Sequence, residues 1–228
     1  MSDISDLEAA LGYRFNDPHL LTTALTHSSW SHEHRCDPKT NNERLEFLGD
    51  AVLSLCISTH LFNNPSDFPE GKLSKLRAAI VCEETLCEVA KNLSLGDYLR
   101  LGKGETRTQG SMKASNLSNA VEAILGAIYL DRDFQTAFAI ASQWLAPYLS
   151  QALEGQLIYD YKTTLIEIIQ GWGVQHQIVF KQTHQEGPPH HPIFYVEVLI
   201  DQKVYGRGNG NSKKAAEQAA AKATLSML

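Results

Sequence analysis

The sequence is poor in cysteine, has no excess of basic residues and has no long apolar run, and each absence excludes a class of protein. Its four cysteines among 228 residues form no Cys-X-X-Cys pair and have no metal-ligand spacing, which argues against a disulfide scaffold and a zinc finger. No apolar run approaches the roughly 20 residues that cross a bilayer, and residues 1–11 are too acidic and too weakly apolar for a signal peptide. We therefore expect a cytoplasmic protein with no membrane partner and with reduced cysteines, of which only Cys36 is a candidate for an exposed, reactive thiol.

Basic charge is scarce overall, but it is unevenly distributed along the chain. The net charge is −6, whereas nucleic-acid-binding domains usually have a basic surface. Residues 1–155 contain 13 Lys and Arg against 20 Asp and Glu, a net charge of −7, and residues 156–228 contain 7 against 6, a net charge of +1. The acid excess therefore lies in the N-terminal part, where a metal site would need it. Nucleic-acid binding by the C-terminal part would depend on the placement of a few cations.

The stretch Asn42-Glu-Arg-Leu-Glu-Phe-Leu-Gly-Asp50 carries the strongest functional signal. Thr40 followed by Glu43 has the pattern of a capping box, which predicts the start of a helix near Asn41. Asn63-Asn-Pro-Ser is a clear stop, so the helix is expected to end at about Phe62.

Three carboxylates share one face of this predicted helix. Glu43, Glu46 and Asp50 stand at positions i, i+3 and i+7. Like charges in one stripe repel one another by about 0.2–0.5 kcal/mol per close pair, and a hard divalent cation would remove that penalty. A solvated acidic face is the alternative. Gly49 favours the functional interpretation, because a glycine inside a helix costs about 1 kcal/mol and indicates the close approach of another backbone.

A second predicted helix, from Ser115 to Tyr129, supplies one further carboxylate. Glu122 stands alone within an apolar run, and a buried carboxylate is costly unless it is paired or bound to a metal. Asn119 lies three residues earlier, on the same face. The other apolar patterns before residue 170 are helical as well, which predicts an all-α N-terminal domain.

The C-terminal part has a different pattern, in which a helix, three strands and a second helix follow one another. The predicted elements are residues 160–170, 177–183, 194–200, 203–208 and 212–225. Lys213 and Lys214 fall in the first turn after Ser212, where a cation is ordinarily unfavourable. Their placement therefore indicates an anionic partner at this helix end.

These motifs together resemble two known families. The signature Asn42–Asp50, the block Pro69-Glu-Gly-Lys-Leu-Ser-Lys-Leu-Arg77 and the helix that carries Glu122 resemble the ribonuclease III family of double-stranded RNA endonucleases. The Gly-Pro-Pro-His motif at residues 187–190 and Ser-Lys-Lys-Ala-Ala-Glu-Gln at residues 212–218 resemble the double-stranded RNA-binding domain. Both sets occur once and in the family's order, across roughly residues 5–227. The resemblance implies an all-α endonuclease domain (1–150), a linker (151–159) and an α+β RNA-binding domain with αβββα order (160–228).

The resemblance also implies which residues form the sites. The metal ligands would be Glu46, Asp50, Asn119 and Glu122, with Asp50 and Glu122 as catalytic residues. Glu43 and Glu70 match secondary acidic positions of the family, although capping alone explains Glu43 and the helix dipole alone explains Glu70. The RNA contacts would come from His190, Lys213, Lys214 and Glu167. Ile166 stands where the family usually has Gln. Because Ile cannot make the contact of that Gln, we expect weaker RNA binding by the helix of residues 160–170.

The implied activity is Mg²⁺-dependent hydrolysis of double-stranded RNA by a homodimer, with Mn²⁺ as a possible substitute. The implied products have 5′-phosphate and 3′-hydroxyl ends with a two-nucleotide 3′ overhang. Processing of rRNA precursors and other structured RNAs is implied as well. A non-cleaving double-stranded RNA-binding protein is the alternative.

Asn119 is the reason for keeping that alternative. In this family Asp usually occupies the position, and Asn offers one neutral carbonyl oxygen in place of a charged ligand, so we expect weaker metal binding. Two origins remain open. An Asp→Asn change is a common way to trap a nuclease on an uncut substrate, which the intact remainder of the site favours. A natural variant with low or adapted activity is the other.

Overall fold

The computed structural model describes residues 3–35, 37–64, 66–155, 157, 160–173, 175–188 and 192–228, and it divides into two compact units, Met1–Leu157 and Ile158–Leu228. Helices make up the first unit, as the sequence predicts. They are α1 (Ile4–Leu11), α2 (Pro18–Ala24), α3 (Ser28–Glu33), α4 (Glu43–Phe62), α5 (Glu70–Ile80), α6 (Glu83–Asn92), α7 (Lys103–Arg107), α8 (Ala114–Asp131) and α9 (Phe134–Leu153).

Helix α8 is the centre of the first unit. Most of its residues between Asn116 and Ile128 are buried, because α2, α4, α6 and α9 all pack against it. Side chains such as Leu117 and Ile124 are almost fully buried, and each contributes about 1.5–3 kcal/mol of transfer free energy. A single core therefore fixes the position of α4 relative to α8, and these two helices carry the candidate metal ligands.

The predicted capping box at the start of α4 is wrong. Asn42 is the N-cap and makes no side-chain capping hydrogen bond, while the Oδ1 atom of Asn41 accepts from the backbone N–H of Glu43 over 3.1 Å. The Thr40 hydroxyl donates instead to the carbonyl oxygen of Asp37 over 2.7 Å. A short 3₁₀ turn over residues 38–40 precedes the helix and uses the hydroxyl that the capping box would have required.

One boundary and two short helices in the first unit also differ from what the sequence pattern indicates. Helix α9 continues to Leu153, inside the predicted linker, because Ala152 is buried against the core. Helix α3 extends into a polar stretch that begins at Ser31, and α7 lies between Leu99 and Thr108, where no helical period is apparent in the sequence. The division of the domains at residues 150 and 160 stays a prediction.

Helix α4 is long and apolar enough, by length and composition alone, to cross a membrane, with 39% of that window buried inside the first unit. This finding differs from the expectation that no segment of the chain is apolar enough to cross a bilayer. Its apolar residues are explained by packing, since Val52, Leu53, Cys56 and Ile57 belong to the core. Cys56, Cys82 and Cys87 are free thiols, and Cys36 lies outside the described residues.

The second unit contains a three-stranded antiparallel sheet with two helices on one face. Its elements are α10 (Tyr161–Gln170), β1 (Ile178–Glu186), β2 (Ile193–Ile200), β3 (Lys203–Gly210) and α11 (Lys213–Leu225), with strand order β1-β2-β3. The predicted αβββα order is confirmed. Glycines of β3 face the alanines of α11, and a Cβ atom added at Gly208 would lie 2.2 Å from the backbone nitrogen of Ala220. The helix therefore packs closer to the sheet than larger residues would allow.

Candidate functional site

Two glycines bring α4 and α8 into backbone contact. A Cβ atom added at Gly49 would lie 1.8 Å from the carbonyl oxygen of Glu122, and one added at Gly126 would lie 2.4 Å from the carbonyl oxygen of Leu45. The expected close approach at Gly49 is therefore confirmed, but the approaching backbone is α8 of the same chain. The close approach at Gly49 therefore involves no second subunit, and the preceding residue, Leu48, is partly buried against the core.

This crossing brings together acidic residues that lie far apart in sequence. Glu46 and Asp50 come from α4, and Glu122 comes from α8. Burial, followed by the negative charges of Asp50 and Glu46, raises the pKa of Glu122 to about 7. Burial, followed by the charge of Glu43, also raises the pKa of Glu46, and Asp50 adds to that rise. The three carboxylates therefore repel one another in the absence of a cation.

Asn119 lies beside these carboxylates. Its side chain is half-buried, and its amide interacts with the Glu46 carboxylate, which partly offsets the rise in the pKa of Glu46. The Ser118 hydroxyl donates to the carbonyl oxygen of Ser115 over 3.0 Å and lies 3.4 Å from the Oδ1 atom of Asn119. The structure thus places all four residues of the predicted metal site at the α4–α8 crossing.

The chemistry of this cluster fits a hard divalent cation. Carboxylate and amide oxygens are the ligands that Mg²⁺ and similar ions prefer. The salt bridges among the described residues leave Glu46, Asp50 and Glu122 without a basic partner. Among the same residues, however, no three His, Cys, Asp or Glu side chains already stand together as a formed metal site. The acids are therefore gathered at one place, but their side chains are not arranged as a closed coordination shell.

The secondary acids have separate surroundings. The Oε2 atom of Glu43 accepts from the Asn41 amide over 3.3 Å, and Glu43 influences the site through its charge on Glu46. Glu70 is exposed in the first turn of α5, and its carboxylate accepts from the Ser74 hydroxyl over 2.8 Å. This position agrees with a helix N-terminal acid favoured by the dipole.

Glu105, which is not among the predicted site residues, fixes the segment leading into α8. Its carboxylate accepts from Asn116 over 2.9 Å and from Lys113 over 2.7 Å, while the Asn116 amide also donates to the carbonyl oxygen of Gly110. The salt bridge to Lys113, followed by the Asn116 hydrogen bond, lowers the pKa of Glu105. No periodic pattern marks this residue, because its partners come from an irregular segment.

In the second unit, Lys213 and Lys214 are exposed in the first turn of α11. Ser212 is the N-cap, and its hydroxyl accepts from the backbone N–H of Ala215 over 3.1 Å. Lys214 lies close enough to Asp160 to lower the pKa of that carboxyl, although the main lowering comes from the hydrogen bonds of Gln218 and Thr163, against burial. The helix end and the two cations together form a surface that suits a phosphate group.

The remaining predicted RNA contacts have mixed outcomes. Glu167 is exposed on α10, and Ile166 is half-buried. His190 lies outside the described residues. Contacts within the unit fix α10 against α11, since Lys162 and Glu217 form a salt bridge of 2.6 Å and the Gln218 amide donates to Asp160 over 2.9 Å.

Comparison with protein families matches both units. A ribonuclease-III-like family model matches residues 17–149, and the double-stranded RNA binding motif matches residues 161–228. Nucleases of the first family need a divalent metal ion, which agrees with the acidic cluster. The second motif is one that binds double-stranded RNA.

Curated relatives match along nearly the whole chain. Ribonuclease 3 of Pelotomaculum thermopropionicum is 47% identical over 219 residues, which cover 96% of this chain and 90% of that protein. Ribonuclease 3 of Clostridium perfringens is 44% identical, over 100% of this chain and 96% of that protein. Among solved structures, the nuclease domain of ribonuclease III from Campylobacter jejuni, described for flexibility in a region involved in dimer formation, gives a TM-score of 0.60 at 43% identity. It covers 65% of this chain and 99% of that one. The chain belongs to the ribonuclease III family, with a helical nuclease domain followed by a double-stranded RNA-binding domain.

Proposed function

We propose that this protein is an endoribonuclease that binds double-stranded RNA and hydrolyses its phosphodiester bonds with the help of Mg²⁺. The observation that carries the proposal is the α4–α8 crossing, which holds Glu46, Asp50 and Glu122 together without a basic partner among the described residues. A cation bound beside Glu122 would lower its raised pKa, because a positive charge favours the ionised carboxylate.

In this proposal, Glu46, Asp50, Asn119 and Glu122 hold the ion, and Asp50 and Glu122 are the catalytic residues. A bound divalent ion, for which Mn²⁺ can substitute, supplies an activated water and stabilises the charge that develops on the phosphate. Asp50 is exposed and Glu122 is half-buried, so the cluster has one side open to a substrate and one side closed by the core. Glu43 and Glu70 are secondary acids that add negative charge nearby.

RNA affinity is assigned mainly to the second unit. Lys213 and Lys214 contact phosphates, and Glu167 and His190 contribute further contacts. Neither lysine depends on a base edge, so binding should be insensitive to RNA sequence. The proposed products carry 5′-phosphate and 3′-hydroxyl ends, and the substrates include rRNA precursors and other structured RNAs in the cytoplasm, where the free thiols stay reduced.

A homodimer is the proposed assembly, with α4 as the main interface. Phe47 and Phe62 are 82% and 81% exposed, and Leu55 between them is 53% exposed. These three side chains lie within one side of α4, and such large exposed aromatics are typical of interface anchors. The Campylobacter jejuni nuclease domain, whose description mentions dimer formation, supports this assignment.

Asn119 favours a second candidate, a protein that binds duplex RNA without cutting it. Replacing one of four carboxylates by an amide lowers the ligand charge from −4 to −3. Loss of one electrostatic group in an active site typically costs about 10²–10³-fold in rate, or about 2.7–4 kcal/mol.

A cleavage assay on a perfect RNA duplex separates the two candidates. We expect slow or undetectable cleavage by the chain at low millimolar Mg²⁺, and a gain of about 10²–10³-fold for Asn119→Asp, with duplex binding little changed. Glu122→Gln in the Asn119→Asp background is the matched control and should abolish the gain. Full cleavage by the unaltered chain, with no effect of Asn119→Asp, would mean that the fourth ligand has been misassigned.

A further inference from the structure

One side chain, Gln218, joins the start of α10 to the second turn of α11. Its Nε2 atom donates to the Oδ1 atom of Asp160 over 2.9 Å, and its Oε1 atom accepts from the backbone N–H of Lys162 over 3.1 Å. A carboxylate only accepts and a backbone N–H only donates, so these partners fix the orientation of the amide. The neighbouring salt bridge from Lys162 to Glu217 is partly exposed, and such ion pairs contribute little. Gln218 is therefore the more specific contact at this junction.

The two helices of the second unit begin in different surroundings. At the start of α10, the backbone N–H of Thr163 is capped by Asp160 over 3.1 Å, and the N–H of Lys162 is taken by Gln218. These are two of the N–H groups that a helix leaves without a partner in its first turn. Helix α10 thus begins against α11, whereas α11 begins at the surface with two exposed lysines. A phosphate can approach the second of these helix ends.

Helix α11 meets the sheet mainly through small residues. The apolar side chains that it contributes to the core are alanines, and they pack on the glycines of β3. Complementary packing of large side chains is what usually selects a single arrangement, and a contact of alanines on glycines does so less strictly. Hydrogen bonds depend on direction and distance. The contacts of Gln218 with α10 therefore help to set where α11 lies along the sheet.

We propose that Gln218 is a positioning residue for duplex RNA binding and that it acts through Lys213 and Lys214. Lys214 lies one helical turn before Gln218, on the same face of α11. A shift of α11 at Gln218 consequently moves both cations of the first turn. Duplex RNA is recognised largely by shape and by its phosphates, so displaced cations bind it less well. The inference rests on the proposed function, because it takes these two lysines as phosphate contacts.

Gln218→Met in the full chain tests this role. Methionine keeps the length of the side chain and its preference for a helix, but it loses both hydrogen bonds. Binding would be measured in a chelator on a perfect RNA duplex of about 20 base pairs, which exceeds the roughly 16 that one RNA-binding domain spans. We expect affinity to fall roughly two- to tenfold, the factor that one ordinary net hydrogen bond supports. The slope of log K against log salt should fall by about one.

The same change in a chain that also carries Lys213→Ala and Lys214→Ala separates positioning from a general structural role. A residue that acts through the two lysines has nothing left to position there, so Gln218→Met should then change affinity by less than about twofold. A purely structural residue lowers affinity by the same factor in both backgrounds. Gln170→Met, at the exposed end of α10, is the matched control and should leave affinity unchanged.

Gln218→Glu is a second variant that does not depend on the folding of the first. It keeps the acceptor for the N–H of Lys162 but sets a carboxylate against Asp160, and the like charges repel each other. It should weaken duplex binding more than Gln170→Glu, which adds the same charge at an exposed position. Circular dichroism and the unfolding temperature show whether each variant is folded under the conditions of the binding assay.

The outcomes separate this inference from the function on which it rests. Equal losses for Gln218→Met in both backgrounds, or no loss in the otherwise unaltered chain, would overturn the positioning role and leave the RNA-binding assignment standing. Equal affinities of Gln218→Glu and Gln170→Glu would overturn it as well. If removal of both lysines does not weaken duplex binding, the assignment of the phosphate contacts is itself wrong, and the positioning role fails with it.

Discussion

Glu122 in the nuclease unit and Lys213 in the RNA-binding unit are both charged residues on helices, but the fold places them in different ways. Glu122 is half-buried at a crossing of two helices, where burial, followed by the charges of two neighbouring carboxylates, raises its pKa to about 7. Lys213 is exposed at the first turn of a helix that Ser212 caps. The properties of the first residue depend on how α4 packs on α8, whereas those of the second depend on one helix end. Changes at the α4–α8 crossing should therefore alter stability and site together, and changes at the exposed first turn of α11 should alter binding alone.

Gly49→Ala should have the largest effect, because it acts on the crossing itself. The added Cβ atom would meet the carbonyl oxygen of Glu122 at 1.8 Å, so α8 must move and carry Glu122 with it. Overpacking of a core typically costs about 1–3 kcal/mol and occasionally more, and we expect the upper part of that range, measured as a lower urea midpoint for the nuclease unit.

Gly71→Ala is the matched control for that change. Gly71 is also a helical glycine of the first unit, but nothing lies within 4 Å of its added Cβ atom. Alanine there should stabilise by up to about 1 kcal/mol. Equal stability of the two variants would show that the α4–α8 contact is looser than the structure describes.

The sequence predicted the secondary-structure elements more successfully than it predicted their packing partners. Apolar periodicity located α4 and α8, and Gly49 correctly indicated a close backbone. The partner of Gly49 lies more than 70 residues away, and local spacing carries no information about such a pair. The capping box failed for a related reason, because a 3₁₀ turn engages the Thr40 hydroxyl. The metal-site assignment came from family resemblance, whereas the raised pKa of Glu122 depends on the folded crossing.

A pH titration of stability in chelator would sharpen the comparison at Glu122. The pKa of Glu122 is raised above its ordinary value of 4.5 to about 7 by burial and by Asp50 and Glu46. At pH values between about 4.5 and about 7, the folded state thus holds a proton on Glu122 that the unfolded state has already lost. Stability should fall as the pH rises from about 4.5 to 7, by up to about 3 kcal/mol if one unit of pKa is worth about 1.36 kcal/mol.

One variant and one added ion test that assignment. Glu122→Gln should remove most of the decline, and millimolar Mg²⁺ should also reduce it by favouring the ionised form. Because Glu46 has a raised pKa as well, a small decline should persist in Glu122→Gln. An unchanged decline in that variant would assign the effect to other carboxylates.

Phe47→Asp tests whether the nuclease unit also carries the dimer interface. Phe47 is 82% exposed, so the change should leave the fold of the chain intact. Truncating an interface anchor commonly costs about 2 kcal/mol or more, which corresponds to at least about a 30-fold weaker dimer. Sedimentation at micromolar concentration should show a dimer for the unaltered chain and a monomer for the variant, with Arg132→Asp, at the exposed end of α8, as a surface control. A monomeric unaltered chain would contradict the proposed assembly.

Lys213→Ala and Lys214→Ala should have the smallest effect and should leave the fold unchanged. Both side chains are exposed, and alanine is favourable in a helix, so the unfolding temperature should stay the same or rise slightly. Each change removes one cation from the phosphate-facing helix end, and the slope of log K against log salt should fall by about one. The loss of RNA affinity should be equal for duplexes of different sequence, because phosphates carry no sequence information.

Lys203→Ala, at the start of β3 and away from α11's first turn, is the control for a general loss of charge. If all three variants reduce the slope equally, RNA binding depends on net charge and not on the position of Lys213 and Lys214 at the helix end.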